Sequence, residues 1–218
     1  MTSGEFHSSD QAINSEISSY MKVWSVPFSI NLELGGKIDN IEIAYETYGT
    51  LNKDKSNAVL ICHALSGDSH VASHSKDDIE GWWEIFIGPG KSIDTNKYFV
   101  ICSNVLGSCR GSTGPNSINK VTGKPFGNKF PMITVGDMVK VQKLLINDEL
   151  KIDNLLCVIG GSLGGFQALE WVKQNSSMVK GCIGIATSSR LSPQALAFDV
   201  VGRNAITHDP NYKDGQYY

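Results

Sequence analysis

Gly160-Gly161-Ser162-Leu163-Gly164 sets a serine at the centre of a G-x-S-x-G motif. An apolar run, Leu155 to Ile159, leads into the motif, and a helical pattern with Phe166, Leu169 and Trp171 leaves it. A tight strand-to-helix turn of this kind is a nucleophile elbow, which strains the serine backbone and exposes its hydroxyl. Gly160 and Gly164 let strand and helix approach closely, and the helix N-terminus favours the negative charge of an acyl-transfer transition state. The chemistry expected is attack of Ser162 on a carbonyl, with the Leu163 N–H as one oxyanion donor. A phosphate-binding loop is the bland alternative. It would need a Walker lysine or a G-x-G-x-x-G spacing, and neither is present.

The second oxyanion donor should come from the loop after an earlier strand. His63-Ala64-Leu65-Ser66-Gly67 follows the apolar run Ala58 to Cys62, so the Leu65 N–H is the candidate and the Ala64 N–H the fallback. His63 reads as a histidine that braces this loop by hydrogen bonds, because a triad histidine follows its serine in this arrangement. One histidine, His208, follows Ser162, and Asp199 precedes it. That pair has the right order, but both lie in or just past a helical pattern rather than after later strands, so they are not expected to complete a triad. His70 and His74 sit in a loop without a zinc-protease carboxylate set and read as solvated; no metal is expected. No residue is assigned to a cofactor.

The elements that must position these groups are legible as pattern. Ala58–Cys62, Tyr98–Cys102, Leu155–Ile159 and Cys182–Ala186 are continuous apolar runs, as expected of parallel strands covered on both faces. Pro27 to Leu34 and Ile38 to Tyr48 alternate around Gly35-Gly36, which predicts an antiparallel hairpin opening the sheet. Thr134 to Asp137 reads as a capping box starting one helix, with Val135, Met138, Val139, Gln142 and Leu145 at helical spacing. Gly164 to Lys173 and Pro193 to Ile206 read as two more helices. Strands alternating with helices imply an α/β fold with a mostly parallel sheet. Two long connections, 63–79 and 105–131, are expected to be functional because they follow strand C-termini, where open α/β sheets bind ligands.

Composition narrows the function classes. The 218 residues are 41% hydrophobic and 19% charged, which excludes disorder, and 19 Lys+Arg against 22 Asp+Glu gives no basic field for nucleic acid or membrane. No run is long enough to span a bilayer. The first 20 residues are polar and Ser-rich rather than a signal peptide. Five cysteines, four of them in strand-like runs, read as free thiols of a reducing, cytoplasmic protein. Residues 1–22 are expected to be a loosely ordered arm, 23–190 the α/β core, and 191–218 the start of a helical lid.

From about Val26 onward the chain resembles the homoserine O-acetyltransferase family of α/β-hydrolase-fold acyltransferases. The likeness rests on Ile43-Ala-Tyr-Glu-Thr-Tyr-Gly-Thr-Leu-Asn52, Cys62-His-Ala-Leu-Ser-Gly-Asp-Ser-His-Val71, Gly81-Trp-Trp83 and Gly88-Pro-Gly-Lys-Ser-Ile-Asp-Thr95. It continues through Ser103-Asn-Val-Leu-Gly107, Gly111-Ser-Thr-Gly-Pro115, Gly160-Gly-Ser-Leu-Gly-Gly165 and Gln167-Ala-Leu-Glu-Trp171. Gly136 and Ser108 depart from the family pattern. The resemblance implies acetyl transfer from acetyl-CoA, a co-substrate rather than a cofactor, to the hydroxyl of L-homoserine, with Ser162 as nucleophile. It also implies a homodimer. Succinyl-CoA as donor, serine as acceptor, or esterase and thioesterase activity are the alternatives. Trp82, Trp83 and Phe86 would wall the approach or simply be core. Members carry a substrate-binding Arg and the catalytic Asp and His further along than this chain extends, and Arg190 and Arg203 are not expected to substitute. The sheet is therefore expected to stop before its last strands, and the 218 residues alone are expected to be poorly soluble and inactive.

Overall fold

The four apolar runs become the parallel strands of a six-stranded sheet, three of them inside it and the fourth at its described edge. The computed structural model describes residues 20–215. The strands are β1 (Lys22–Ser25), β2 (Ile30–Asn31), β3 (Lys37–Ile38), β4 (Glu42–Tyr48), β5 (Ala58–Cys62), β6 (Ile87–Gly88), β7 (Ile93–Asp94), β8 (Phe99–Ser103), β9 (Ile118–Asn119), β10 (Lys124–Pro125), β11 (Cys157–Gly161) and β12 (Cys182–Ile185). The helices are α1 (Val135–Leu144), α2 (Leu163–Asn175) and α3 (Pro193–Thr207). The main sheet runs β1-β4-β8-β5-β11-β12, with β8, β5, β11 and β12 parallel and β4 antiparallel to both β1 and β8.

β5 shows why its run has no polar residue. Ala58, Leu60 and Cys62 face a cluster with Val139, Ala168 and Trp171 of α1 and α2. Val59 and Ile61 face the opposite cluster with Val71, Ala72 and Ile87. A strand covered on both faces has no solvent side to mark with polar residues. On the second face the cover is the irregular segment after β5, so the 63–79 connection is partly core. The 105–131 connection contains the small β9–β10 hairpin.

α1 starts as read. The Thr134 hydroxyl accepts from the Asp137 N–H at 3.0 Å, and Asp137 Oδ2 accepts from the Thr134 N–H at 3.1 Å. Its C-terminus continues into one π-helical turn, Leu145–Glu149. α3, by contrast, buries none of its residues, and every residue of β12 is exposed.

Two sequence expectations change, that of the opening hairpin and that of the cysteines. The Gly35-Gly36 turn, with φ of 95° and 79°, joins only the short strands β2 and β3, which form a sheet of their own. The antiparallel opening of the main sheet is β1 against β4, because Ile30, Leu32 and Ile38 turn into a separate apolar cluster with Ile41 and Leu145. The expected arm lies mostly outside the described residues, but Tyr20 stacks on His74 at 4.3 Å and β1 begins at Lys22. Cys62 and Cys102 are buried free thiols, whereas Cys182 is exposed, because β12 is the edge of the described sheet, and Cys157 is half-buried.

Candidate active site

Going from β5 to β8 moves the chain one way across the sheet, and β11 returns it to the other side of β5. The C-terminal end of β5 is thus a topological switch point, where ligands bind in open α/β sheets. The loop 63–67 and the turn from β11 into α2 meet there.

Ser162 is the N-cap of α2, with φ 53° and ψ −119°, a left-handed backbone rare for a residue with a Cβ. Close backbone packing and backbone hydrogen bonds on both sides hold it. A Cβ on Gly160 would lie 2.0 Å from the Gly164 carbonyl oxygen, and a Cβ on Gly164 would lie 1.9 Å from that of Cys62. The Ser162 N–H donates to the Ile185 carbonyl of β12 at 3.0 Å, and the Ser162 carbonyl accepts from Gly165 and Phe166 at the start of the helix. The serine is exposed at the tip of this turn.

The backbone donors around it are free. Among the described residues, the N–H groups of Leu163, Ala64 and Leu65 have no acceptor. The Leu65 side chain is 84% exposed, so it anchors nothing itself. His63 is buried beneath the same loop. Its Nδ1 pairs with the Ala64 carbonyl at 2.7 Å, and its Nε2 accepts from the Val105 N–H at 3.2 Å. Burial holds the ring below the ordinary histidine range, which keeps it neutral.

Among the described residues no histidine or carboxylate hydrogen-bonds the Ser162 hydroxyl. His208 is exposed at the end of α3, where its Nδ1 pairs with the Asn204 carbonyl at 2.8 Å; Asp199 is exposed on the same helix. The two are not hydrogen-bonded to each other.

His70 and His74 are not solvated, contrary to the sequence reading. Both face Glu46 of β4: His70 Nδ1 lies 3.0 Å and His74 Nε2 2.8 Å from Glu46 Oε2, which also accepts from the Tyr48 hydroxyl at 2.9 Å. His74 stacks between Tyr20 and Tyr48, at 4.3 Å from each. The ligand atoms of Glu46, His70 and His74 lie within 4.8 Å of one another, so these residues could hold a metal. As arranged, they close as a hydrogen-bond network. The bond to Glu46 outweighs burial and lifts His70 to about 9, so the ring is a cation that also donates through Nε2 to the Ile79 carbonyl. Burial pushes the Glu46 carboxyl up, but the bonds from His70, His74 and Tyr48 together hold it below its ordinary value. Sequence reasoning missed this cluster because 24 residues separate its carboxylate from His70. The usable signal was Glu46 itself, a carboxylate set between Tyr45 and Tyr48 in the interior of a strand.

Trp82 and Trp83 pack at 5.1 Å between ring centroids, and Trp83 and Phe86 at 5.7 Å. Trp83 joins the core, while Trp82 is half-exposed and donates its indole N–H to the Asp68 carbonyl at 2.9 Å. A cavity of about 880 Å³, edged by Lys37, Asp39, Glu42, Thr113 and Lys120, lies beside β1 and β3 and touches neither Ser162 nor Leu65. No helix among the described residues is long and apolar enough to cross a membrane.

Known proteins bear on this geometry. The chain is 56% identical over 198 residues to the homoserine O-acetyltransferase of Methanohalobium evestigatum, covering 90% of this chain and 40% of that protein. It thus spans well under half of that relative's length. The crystal structure of homoserine O-acetyltransferase from Bacillus anthracis superposes with a TM-score of 0.81 at 38% identity, covering 90% of this chain and 54% of that one. An esterase structure does so with a TM-score of 0.80 at 37% identity, covering 91% and 55%. The family model of the α/β-hydrolase fold matches residues 57–218, a stretch that contains the elbow, the loop 63–67 and the parallel strands, and the chain belongs to that family.

Proposed function

We propose that this chain carries the nucleophile and oxyanion side of a homoserine O-acetyltransferase, which moves an acetyl group from acetyl-CoA to the hydroxyl of L-homoserine in methionine biosynthesis. The observation that carries this reading is the 52–57% identity to proteins of that name across nearly the whole chain, with Ser162 on its elbow.

Ser162 Oγ attacks the thioester carbonyl as a base takes its proton, the C–S bond breaks, and CoA leaves as the thiol with that proton returned to sulfur. The homoserine hydroxyl then attacks the acyl-serine and gives up its proton, which returns to Ser162 as the ester leaves. The N–H groups of Leu163 and Leu65 receive the oxyanion in both halves. We place the acid and base of the triad in the span of the longer relatives that this chain does not cover. Acetyl-CoA is a co-substrate, and no resident cofactor is invoked. A cytoplasmic homodimer belongs to the same reading.

The complete enzyme should release CoA from acetyl-CoA only when homoserine is present, and Ser162→Ala should abolish that release. Equal release without homoserine would establish the second reading, an esterase or thioesterase, which the equally close esterase structure favours. Succinyl-CoA or serine outperforming acetyl-CoA or homoserine in the same assay would reassign donor or acceptor.

A further inference from the structure

One chain of buried hydrogen bonds ties the loop 63–67 to the helices beneath it, and its direction is fixed at both ends. The Trp171 indole, which can only donate, gives its N–H to Gln142 Oε1 at 2.8 Å. That turns Gln142 Nε2 toward Gln167, whose Oε1 accepts it at 2.8 Å. Gln167 Nε2 then donates to the His63 carbonyl at 3.2 Å and to the Leu163 carbonyl at 3.4 Å. Carbonyls can only accept, so flipping either amide would break a bond at each end. Trp171 and Gln167 are fully buried, and Gln142 is 2% exposed. Apolar residues would fill this site between Val139 and Ala168 without the cost of burying two amides.

The control continues beyond His63. The Val105 N–H donates to His63 Nε2, which fixes the tautomer, so Nδ1–H donates to the Ala64 carbonyl. The Gly67 N–H donates to the same carbonyl at 3.0 Å. The Ala64–Leu65 peptide is trans, so its N–H points opposite to that carbonyl. Fixing the Ala64 oxygen therefore fixes the Leu65 N–H. The exposed Leu65 side chain can do none of this, so the loop must be aimed through its carbonyls.

We propose that the Trp171–Gln142–Gln167 relay positions the oxyanion donor: Gln167 clamps the His63 carbonyl, and the clamped His63 aims the Leu65 N–H toward Ser162. Gln142 and Gln167 are positioning residues that touch no substrate. The proposal rests on the acyl-transfer reading of Ser162 for the use of that N–H, though not for the clamp itself.

Gln167→Met and Gln142→Met keep the shape of the site and remove the relay. In the complete enzyme, Gln167→Met should lower kcat by about 10- to 100-fold with KM little changed, approaching the loss of an oxyanion donor. Gln142→Met should do less, and the double variant should fall no further than Gln167→Met. Ile152→Val, in the same core but off the relay, is the stability control. If kcat follows the urea midpoint alike in the relay and control variants, the relay is only structural and the proposal is overturned.

A second measurement needs no activity. In the complete enzyme, amide exchange at Gly67 and Val105 should accelerate in Gln167→Met while the β5 and β8 amides keep their protection. Uniform acceleration, or none, overturns the clamp. A wild-type enzyme without acyl-transfer activity would sink the proposed function and leave this exchange result to decide the relay.

Discussion

The segment after β5 carries two histidines in opposite states, and the contrast separates aiming from anchoring. In its first part, 63–67, a neutral His63 is held between backbone groups and leaves the Ala64 and Leu65 N–H groups free. In its second part, 68–79, a charged His70 and its neighbour His74 converge on the buried Glu46. A donor awaiting an oxyanion needs a fixed direction and no competing acceptor, which neutral backbone partners provide. A loop that replaces a helix as cover for a sheet face needs a strong tie, which a charge-assisted bond provides.

The largest expected effect tests the aiming part. Gly164→Ala puts a Cβ against the Cys62 carbonyl, a backbone atom that cannot swing aside, so destabilisation beyond the ~1–3 kcal/mol typical of overpacking is expected. Urea unfolding would show it, and a near-neutral change would mean the elbow is looser than drawn. Next comes the anchor. Glu46→Ala strands His70 and should cost about 3–5 kcal/mol, as for other broken buried pairs. A loss below about 1 kcal/mol would make the cluster a surface-grade interaction and erase the contrast.

The pH dependence is smaller and specific to the second part. His70 is raised to about 9, so its contribution is complete below the ordinary histidine value near 6.5 and is lost as pH rises through about 9. Glu46 is held below its ordinary value, so its contribution is present above that value and lost as pH falls through the folded one. Thermal midpoints should decline from pH 7 to 10, with exchange rising at 68–79 before 63–67, and Glu46→Gln should flatten the alkaline limb. The smallest effect concerns the other histidine. His63→Asn places an amide N–H where Nδ1 was, keeping the bond to the Ala64 carbonyl and losing the one from Val105. About 1 kcal/mol of stability should go with it. His63→Gln, which reaches only the Nε2 position, should cost more activity at similar stability.

Much of this was legible in the sequence where one short stretch contained the whole cause. The elbow is specified by Gly160, Ser162 and Gly164 themselves, the α1 start by Thr134 and Asp137, and the parallel strands by their unbroken apolar runs. Features needing distant partners were not legible. β1 is four residues long and its partner β4 lies far along the chain, so it carried too short a pattern to be read, and the nearby Gly35-Gly36 turn looked like the opening of the sheet. Cys182 read as buried because its run matched the inner strands, although a run cannot say which strand lies at an edge. Gln142 did carry a signal, a polar residue at an apolar helical spacing. Its partners, Gln167 and Trp171, become visible only once α1 and α2 pack together.

The bond from the Ser162 N–H to the Ile185 carbonyl makes the serine's posture hostage to the margin of the sheet. Among the described residues β12 pairs with β11 on one side only and lies exposed along its length. Were its end to peel away, Ser162 would lose the acceptor that steadies its left-handed backbone. Whatever clamps β12 against fraying thereby also tunes the nucleophile, by mechanical support from beyond the reacting atoms.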